Sequence, residues 1–273
     1  MTNIISSDNY LSISAFSDLS GISRQNLIYY DTVDVLKPFI VKDNGYRYYS
    51  YEQLEEVSII LTLKDLDFSL KEIKTYLKNI SPENLLQLIN KQKQKISEEL
   101  NRLNQMDFII EQRSTHAAIS VSIDCSKPVL EECEEELLFM GPVQEFDNNS
   151  IEKDFDSFLA FSKKNKLIYG YPLGIWACYK DIIAGQNGKY GYFYKISPTI
   201  KAVKTIKPAG LYVIGYDNSY LAGELEIFKP MDQFIRDHNL SPCGNVYIEN
   251  IADEINTSNP CQYLSKISVQ VEC

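Results

Sequence analysis

Of the 19 tyrosines and single tryptophan in this chain, those best placed to do chemistry fall after residue 165. Tyr190, Tyr192 and Tyr194 alternate, so on a strand all three share one face. Tyr212 and Tyr216 share a face in the same way. Tyr169, Tyr171, Trp176, Tyr247 and Glu249 are close by in the pattern. Aromatic rings around one buried carboxylate suit a flat, lipophilic cation, which gains stacking and cation–π attraction. For any single tyrosine, packing against a sheet is the commoner fate. Glu224 and Glu226 are further carboxylates, on a stretch that reads as an exposed helix.

A second set lies near the start: Arg24, Tyr29, Tyr30, Lys42, Tyr46, Arg47, Tyr48 and Lys64. Arginine and tyrosine both suit phosphate oxygens, so these residues are candidates for contact with duplex DNA. The alternative is core packing for about half of the tyrosines, and an ordinary solvated helix face for Lys64 and Lys71. The formal net charge is −10. Residues 1–80 carry 8 basic and 11 acidic side chains. No region is basic overall, so DNA binding must rest on where individual charges sit.

Other chemistries are poorly supplied. The only histidines are His116 and His238, and no nucleophile elbow is present, so no catalytic residue is assigned. The six cysteines, Cys125, Cys133, Cys178, Cys243, Cys261 and Cys273, form no CxxC pair and no zinc spacing. They read as reduced cytosolic thiols, with neither metal nor cofactor expected. No apolar run reaches the roughly 18 residues of a membrane span, and the polar start does not read as a signal peptide. A cytoplasmic protein with no membrane partner is expected. The acidic run Glu131 to Glu136 fits an interaction surface or, more commonly, a solvated face.

The elements that must position these residues divide the chain in three. Residues 1–80 read as short helices with one hairpin. Ile13, Phe16 and Leu19 recur at helical spacing, Gly21 ends that turn, and Ser23 can cap a helix over Arg24 to Thr32. Helix, short glycine turn and helix is the helix-turn-helix pattern. Asn44-Gly45 predicts a tight hairpin. Ser50 with Gln53, and Ser69 with Glu72, predict capping boxes for two more helices.

Residues 81–114 predict a long helix opened by Ser81-Pro82. Ile89, Ile96, Leu103 and Ile110 recur every seven residues along it, a seam that wants a partner helix. Packing on its own domain is the alternative use. Residues 117–273 alternate. Strands are expected at Ala117 to Asp124, Glu136 to Met140, Leu173 to Tyr179, Lys189 to Ile196, Gly210 to Tyr216, Asn245 to Ile251 and Tyr263 to Val271. Helices fit Ser150 to Lys164 and Ser219 to His238. The repeated order strand, helix, strand, strand predicts two similar halves in one α+β domain with a curved antiparallel sheet and a cleft.

Here a resemblance enters. Leu27-Ile28-Tyr29-Tyr30-Asp31, Lys37-Pro38, Gly45-Tyr46-Arg47-Tyr48-Tyr49, Leu63-Lys64-Asp65-Leu66 and Phe68-Ser69-Leu70-Lys71-Glu72-Ile73 resemble the DNA-binding domain of the MerR family. Pro208-Ala209-Gly210-Leu211-Tyr212 and Gly244-Asn245-Val246-Tyr247 resemble the GyrI-like effector domain of its BmrR-type multidrug sensors. The resemblance implies a multidomain chain. A winged helix-turn-helix domain comes first, then a long antiparallel coiled-coil dimerisation helix, then a GyrI-like α+β effector domain. It further implies a homodimer on promoter duplex DNA, acting with RNA polymerase. Binding of a lipophilic small-molecule effector would distort an overlong promoter spacer and activate transcription.

Two departures stand out. Ile28 occupies the place where the family usually has arginine before the paired tyrosines, and Arg24 lies one helical turn earlier. Ile248, and not a glutamate, follows Tyr247, with Glu249 next. A one-residue shift reverses a strand face. Either a bulge restores Glu249 to the pocket, or the pocket lacks that charge and prefers neutral ligands. Hydrolysis of electrophilic small molecules by the effector domain is the rival function.

Overall fold

A computed structural model describes residues 10–125, 127–145, 151–183, 188–218 and 227–272, with the side chains of residues 151, 152 and 183 left out. The chain forms two compact units that divide between Ser97 and Glu98.

In the N-terminal unit Gly21 and Ser23 act as the sequence predicts, and Ser12 adds a cap that the sequence reading did not assign. Ser12 ends β1 (Tyr10–Ser12), and its hydroxyl accepts from the Ala15 N–H to start α1 (Ile13–Ser20). Gly21, at φ 73°, closes that helix in the left-handed region. The Ser23 hydroxyl accepts from the Asn26 N–H and starts α2 (Arg24–Thr32). The hairpin forms between β2 (Ile40–Val41) and β3 (Arg47–Ser50), with Ile40 opposite Tyr48. Beyond the expected hairpin, β1 pairs with the other edge of β3, giving a three-stranded sheet.

Of the two expected capping boxes, Ser69 and Glu72 complete theirs at α4 (Leu70–Leu77). Only half of the other exists. Gln53 accepts from the Ser50 N–H, but α3 (Gln53–Asp65) has Glu52 at its N-cap without a side-chain bond. The core gathers Leu11, Phe16, Leu27, Tyr30, Ile60 and Phe68, with Phe16 stacked on Tyr49 at 4.4 Å.

Helix α5 runs from Pro82 to Ser122, past the expected end at Ser114. The strand expected over Ala117 to Asp124 is therefore wrong. Ile119 and Ile123 lie one helical turn apart and pack with Ile251 and Leu264, whereas Val121 is 88% exposed. The same apolar spacing fits both periods, and the two alanines before it favour the helix.

Within the C-terminal unit one face of α5 is tied to the domain. Asn101 Oδ1 accepts from the Lys201 N–H at 2.7 Å, and Gln105 bonds to the backbone of Lys166 and Ile168. Arg113 pairs with Asp253 at 2.6 Å. A different row along the helix, Leu86, Ile96, Leu100, Leu103 and Ile110, stays 47–64% exposed, and Ile89 is half-buried.

The C-terminal unit carries β4 (Val129–Cys133), β5 (Glu136–Met140), β6 (Gln144–Glu145), α6 (Ile151–Lys164), β7 (Gly174–Cys178), α7 (Tyr179–Ile183), β8 (Lys189–Lys195), β9 (Thr205–Lys207), β10 (Gly210–Asp217), α8 (Phe228–Asp237), β11 (Ser241–Ala252) and β12 (Leu264–Glu272). Part of the helix expected over Ser219 to His238, with Glu224 and Glu226, lies outside the described residues. The sheet is antiparallel in the order β4-β10-β12-β11-β7-β8-β5-β9, with β6 beside β8.

The two expected halves are present: β5-α6-β7-β8 and β10-α8-β11-β12, joined where β7 pairs with β11. Helices α6 and α8 pack on the same face of the sheet. Phe158 of α6 meets Phe139, Tyr192 and Tyr194, and Met231 of α8 meets Val213, Val246 and Ile267. The opposite face carries Leu138, Phe193, Tyr212, Ile214 and Tyr247 without either helix.

Phe16 is fully buried and stacked. Phe16→Ala should therefore destabilise the N-terminal unit by about 3–5 kcal/mol. Chemical denaturation of the full chain, followed by circular dichroism, checks this; an unchanged transition would contradict the packing described.

Candidate functional site

The candidate DNA surface follows from how α2 is divided. Leu27 and Tyr30 enter the core, whereas Arg24, Gln25, Asn26, Ile28 and Tyr29 face solvent. The tyrosine pair expected at the DNA therefore separates. Tyr29 is 52% exposed, and Tyr30 is a core residue whose hydroxyl is pushed to higher pKa by burial. On the hairpin, Tyr46 is exposed and Lys42 lies 4.6 Å from the centroid of the Tyr48 ring. Arg47 is not a free cation. Its Nε donates to Asp31 at 2.9 Å and fastens β3 to α2. Lys64 is exposed, and its Nζ donates to the Phe68 carbonyl at 3.3 Å across the α3–α4 turn.

The effector candidates do not form one group. Parity along β8 does place Tyr190, Tyr192 and Tyr194 on a common face, but that face is the one under α6. Tyr192 is core, packed on Phe155 and Phe158. Tyr194 stacks on Tyr171 at 5.0 Å. With Tyr169, Arg113, Asn250 and Asp253 these two line a cavity of about 430 Å³. Trp176, Tyr212, Tyr216, Tyr247 and Glu249 sit on the other face, which α6 and α8 leave uncovered, with Tyr216 at the end where Ile119 and Ile123 of α5 pack.

Glu249 is inward, and Ile248 belongs to the cluster under α8. The register is regular from Val246 to Asn250, with Tyr247 opposite Trp176 and Glu249 opposite Gly174. Tyr247 and Glu249 therefore share a face by simple alternation. Glycines shape it. A Cβ at Gly174 would overlap the Phe193 ring, and one at Gly191 would lie 2.8 Å from the Trp176 nitrogen. Their absence lets both rings lie over the sheet.

Glu249 is not waiting for a cation. Lys195 Nζ lies 2.5 Å from Glu249 and 2.6 Å from Glu136, and Lys207 Nζ lies 2.7 Å from Glu136 and 3.5 Å from Glu249. Lys207 is 2% exposed and sits 5.2 Å from the Tyr212 ring and 5.1 Å from the Tyr247 ring. The aromatic box thus already holds an ammonium, supplied by the chain. Burial would push the Glu249 carboxyl up, but Lys195, Lys207 and Lys266 hold it well below the ordinary carboxylate range. Burial opposes the charge on Lys195 as well, yet Glu249 and Glu136 raise its pKa.

The sequence reading placed neither Lys195 nor Lys207 at a site, and Glu136 entered it only as the end of an acidic run and the start of a strand. The available signal was parity, since Lys195 continues the face of Phe193 and not that of Tyr194.

Because the folded pKa of Glu249 lies below its unfolded value, its ionised form stabilises the fold above about pH 4.3. That contribution is lost as pH falls through the lower folded value. Glu249→Gln should cost about 3–5 kcal/mol at neutral pH by leaving buried lysine charge unpaired. The same variant should lose less stability than wild type below about pH 4. Denaturation curves across that pH range check both; parallel wild-type and variant curves would contradict the cluster.

Comparison with known proteins follows the same division. Residues 11–80 match the MerR HTH family regulatory protein domain. Over 267 residues, 96% of this chain and 97% of the other, the chain is 27% identical to the multidrug-efflux transporter 2 regulator of Bacillus subtilis. It is 33% identical to the multidrug-efflux transporter 1 regulator of the same organism over 104 residues, 38% of this chain and 37% of that one. A cryo-EM structure of an EcmrR–DNA complex aligns with 96% of this chain and 99% of its own at 19% identity and TM-score 0.38. The chain therefore carries a MerR helix-turn-helix domain in its first 80 residues and is similar along nearly its whole length to a multidrug-efflux transporter regulator.

Proposed function

We propose that this protein is a homodimeric, ligand-responsive activator that binds promoter DNA and changes its shape when an aromatic small molecule occupies the C-terminal domain. The observation that carries the reading is the division of α2. Its apolar side is locked in the core by Leu27 and Tyr30, leaving Arg24, Gln25, Asn26 and Tyr29 for a DNA groove. Arginine, asparagine and glutamine are the side chains that pair with base edges or phosphates. The hairpin bearing Lys42 and Tyr46 acts as a wing on the backbone, and Arg47 sets its angle through Asp31.

The exposed row Leu86, Ile96, Leu100, Leu103 and Ile110 supports pairing of two α5 helices, since its spacing fits a heptad seam. The matched Bacillus subtilis proteins are named as regulators of multidrug-efflux transporters. By analogy, this chain controls an exporter gene and binds its effector without converting it. Effector binding shifts a population of DNA conformations, realigning promoter elements across an overlong spacer for RNA polymerase.

Arg24→Ala should weaken binding to the DNA flanking the protein's own gene and reduce the salt slope by about one. Fluorescence anisotropy across a salt series measures this, and an unchanged slope would remove Arg24 from the phosphate contacts. Ile96→Asp with Leu103→Asp should place charge in an apolar seam and yield monomers in sedimentation velocity. A full dimer in that variant would contradict pairing through α5.

A further inference from the structure

On the face of the C-terminal sheet that α6 and α8 leave uncovered, one lysine stands apart from the ion pairs. Lys195, Lys207 and Lys266 stand with Glu136 and Glu249, and Glu131, opposite Tyr212, joins them from the exposed edge strand. Lys266 lies directly across from both Glu249 and Tyr216. Lys195 and Lys207 are committed to the two glutamates, whereas Lys266 has no hydrogen bond or ion pair among the described residues. Of the three lysines, Lys266 is therefore the one without a carboxylate partner among the described residues.

The unfilled hydrogen-bonding groups agree. Trp176 Nε1 and the fully buried Ser268 Oγ have no hydrogen-bond partner among the described residues. They occupy one register row, Trp176–Tyr247–Ser268, beside the row of Glu249 and Lys266. An indole N–H can only donate, so it asks a ligand for an acceptor. The rings of Trp176, Phe193 and Tyr247 give the same surface an aromatic floor.

We infer that the effector of this chain is an aromatic anion, held on the sheet face opposite α6 and α8 with Lys266 as its charged anchor, and that lipophilic cations are rejected because Lys207 already fills the aromatic cation site. The inference rests on the proposal that the C-terminal domain binds an aromatic effector, and it reverses the charge that an aromatic box with a bare glutamate would select. A cation entering between Tyr212 and Tyr247 meets an ammonium already seated there at 5.1–5.2 Å from each ring. An anion meets a free lysine and two unfilled groups, one a donor and the other a hydroxyl able to donate.

The test uses the full chain and its single tryptophan. Because that residue is Trp176, quenching of its emission reports on this face. Three matched probes are titrated: 4-biphenylacetate, 4-biphenylmethanol and (4-biphenylmethyl)trimethylammonium. The acetate should bind about tenfold tighter than the ammonium compound, with the alcohol between them. Lys266→Met should weaken the acetate roughly fivefold and leave the alcohol nearly unchanged. Lys207→Met should empty the aromatic box and raise affinity for the ammonium probe roughly fivefold. If that buried variant fails to fold, the wild-type ranking and Lys266→Met still decide. Tighter binding of the ammonium probe by wild type, no quenching by any probe, or an indifferent Lys266→Met would each overturn the inference. DNA binding by the same unliganded preparation is measured alongside. Its loss overturns the regulator reading, and its retention with a failed probe series overturns only the ligand assignment.

Discussion

The buried exchange of charge among Glu249, Glu136, Lys195 and Lys207 governs what the C-terminal domain can do. A carboxylate taken out of water is unstable unless opposite charge and hydrogen bonds meet it. Here two ammoniums meet two carboxylates at 2.5–3.5 Å. Strands β5, β8, β9 and β11 each contribute one member, so the cluster forms only when the run β11-β7-β8-β5-β9 has its register. It also ties the two strand–helix–strand–strand halves together, since Glu249 comes from the second half and Glu136 and Lys195 from the first.

Alternation explains both what was readable in the C-terminal sequence and what was not. The period of two correctly grouped Tyr190 with Tyr192 and Tyr194, whereas the bulge expected to bring Glu249 inward is absent and plain alternation puts it with Tyr247. Parity within one strand says nothing about which faces of different strands coincide. That depends on pairing and on where the helices pack, and it separates Tyr192 and Tyr194 from Tyr212 and Tyr247. The lysines went unnoticed because lysine is usually solvated. Lys207 is nearly fully buried only because four neighbouring groups, two carboxylates and two rings, receive its charge.

The N-terminal unit was more legible because its signals are local. Ser12, Gly21, Ser23 and Ser69 terminate or start helices through bonds to residues three or four positions away. Tyr30 and Arg47 were harder, since their roles depend on distant partners: the core for one and Asp31 for the other. The long helix shows the same limit. Its seam at Ile96, Leu103 and Ile110 was visible as a heptad. Its continuation to Ser122 was not, because Ile119 and Ile123 fit a strand until their packing against Ile251 and Leu264 is known.

The most direct test of this account is the titration of Glu249 itself, followed by carboxyl-carbon NMR with Glu249→Gln used for assignment. The account requires its signal to stay that of the ionised form through the range near pH 4.3 where free glutamate takes up its proton. Protonation at or above that value would mean that the lysines do not neutralise it, and the face would again be open to a cation.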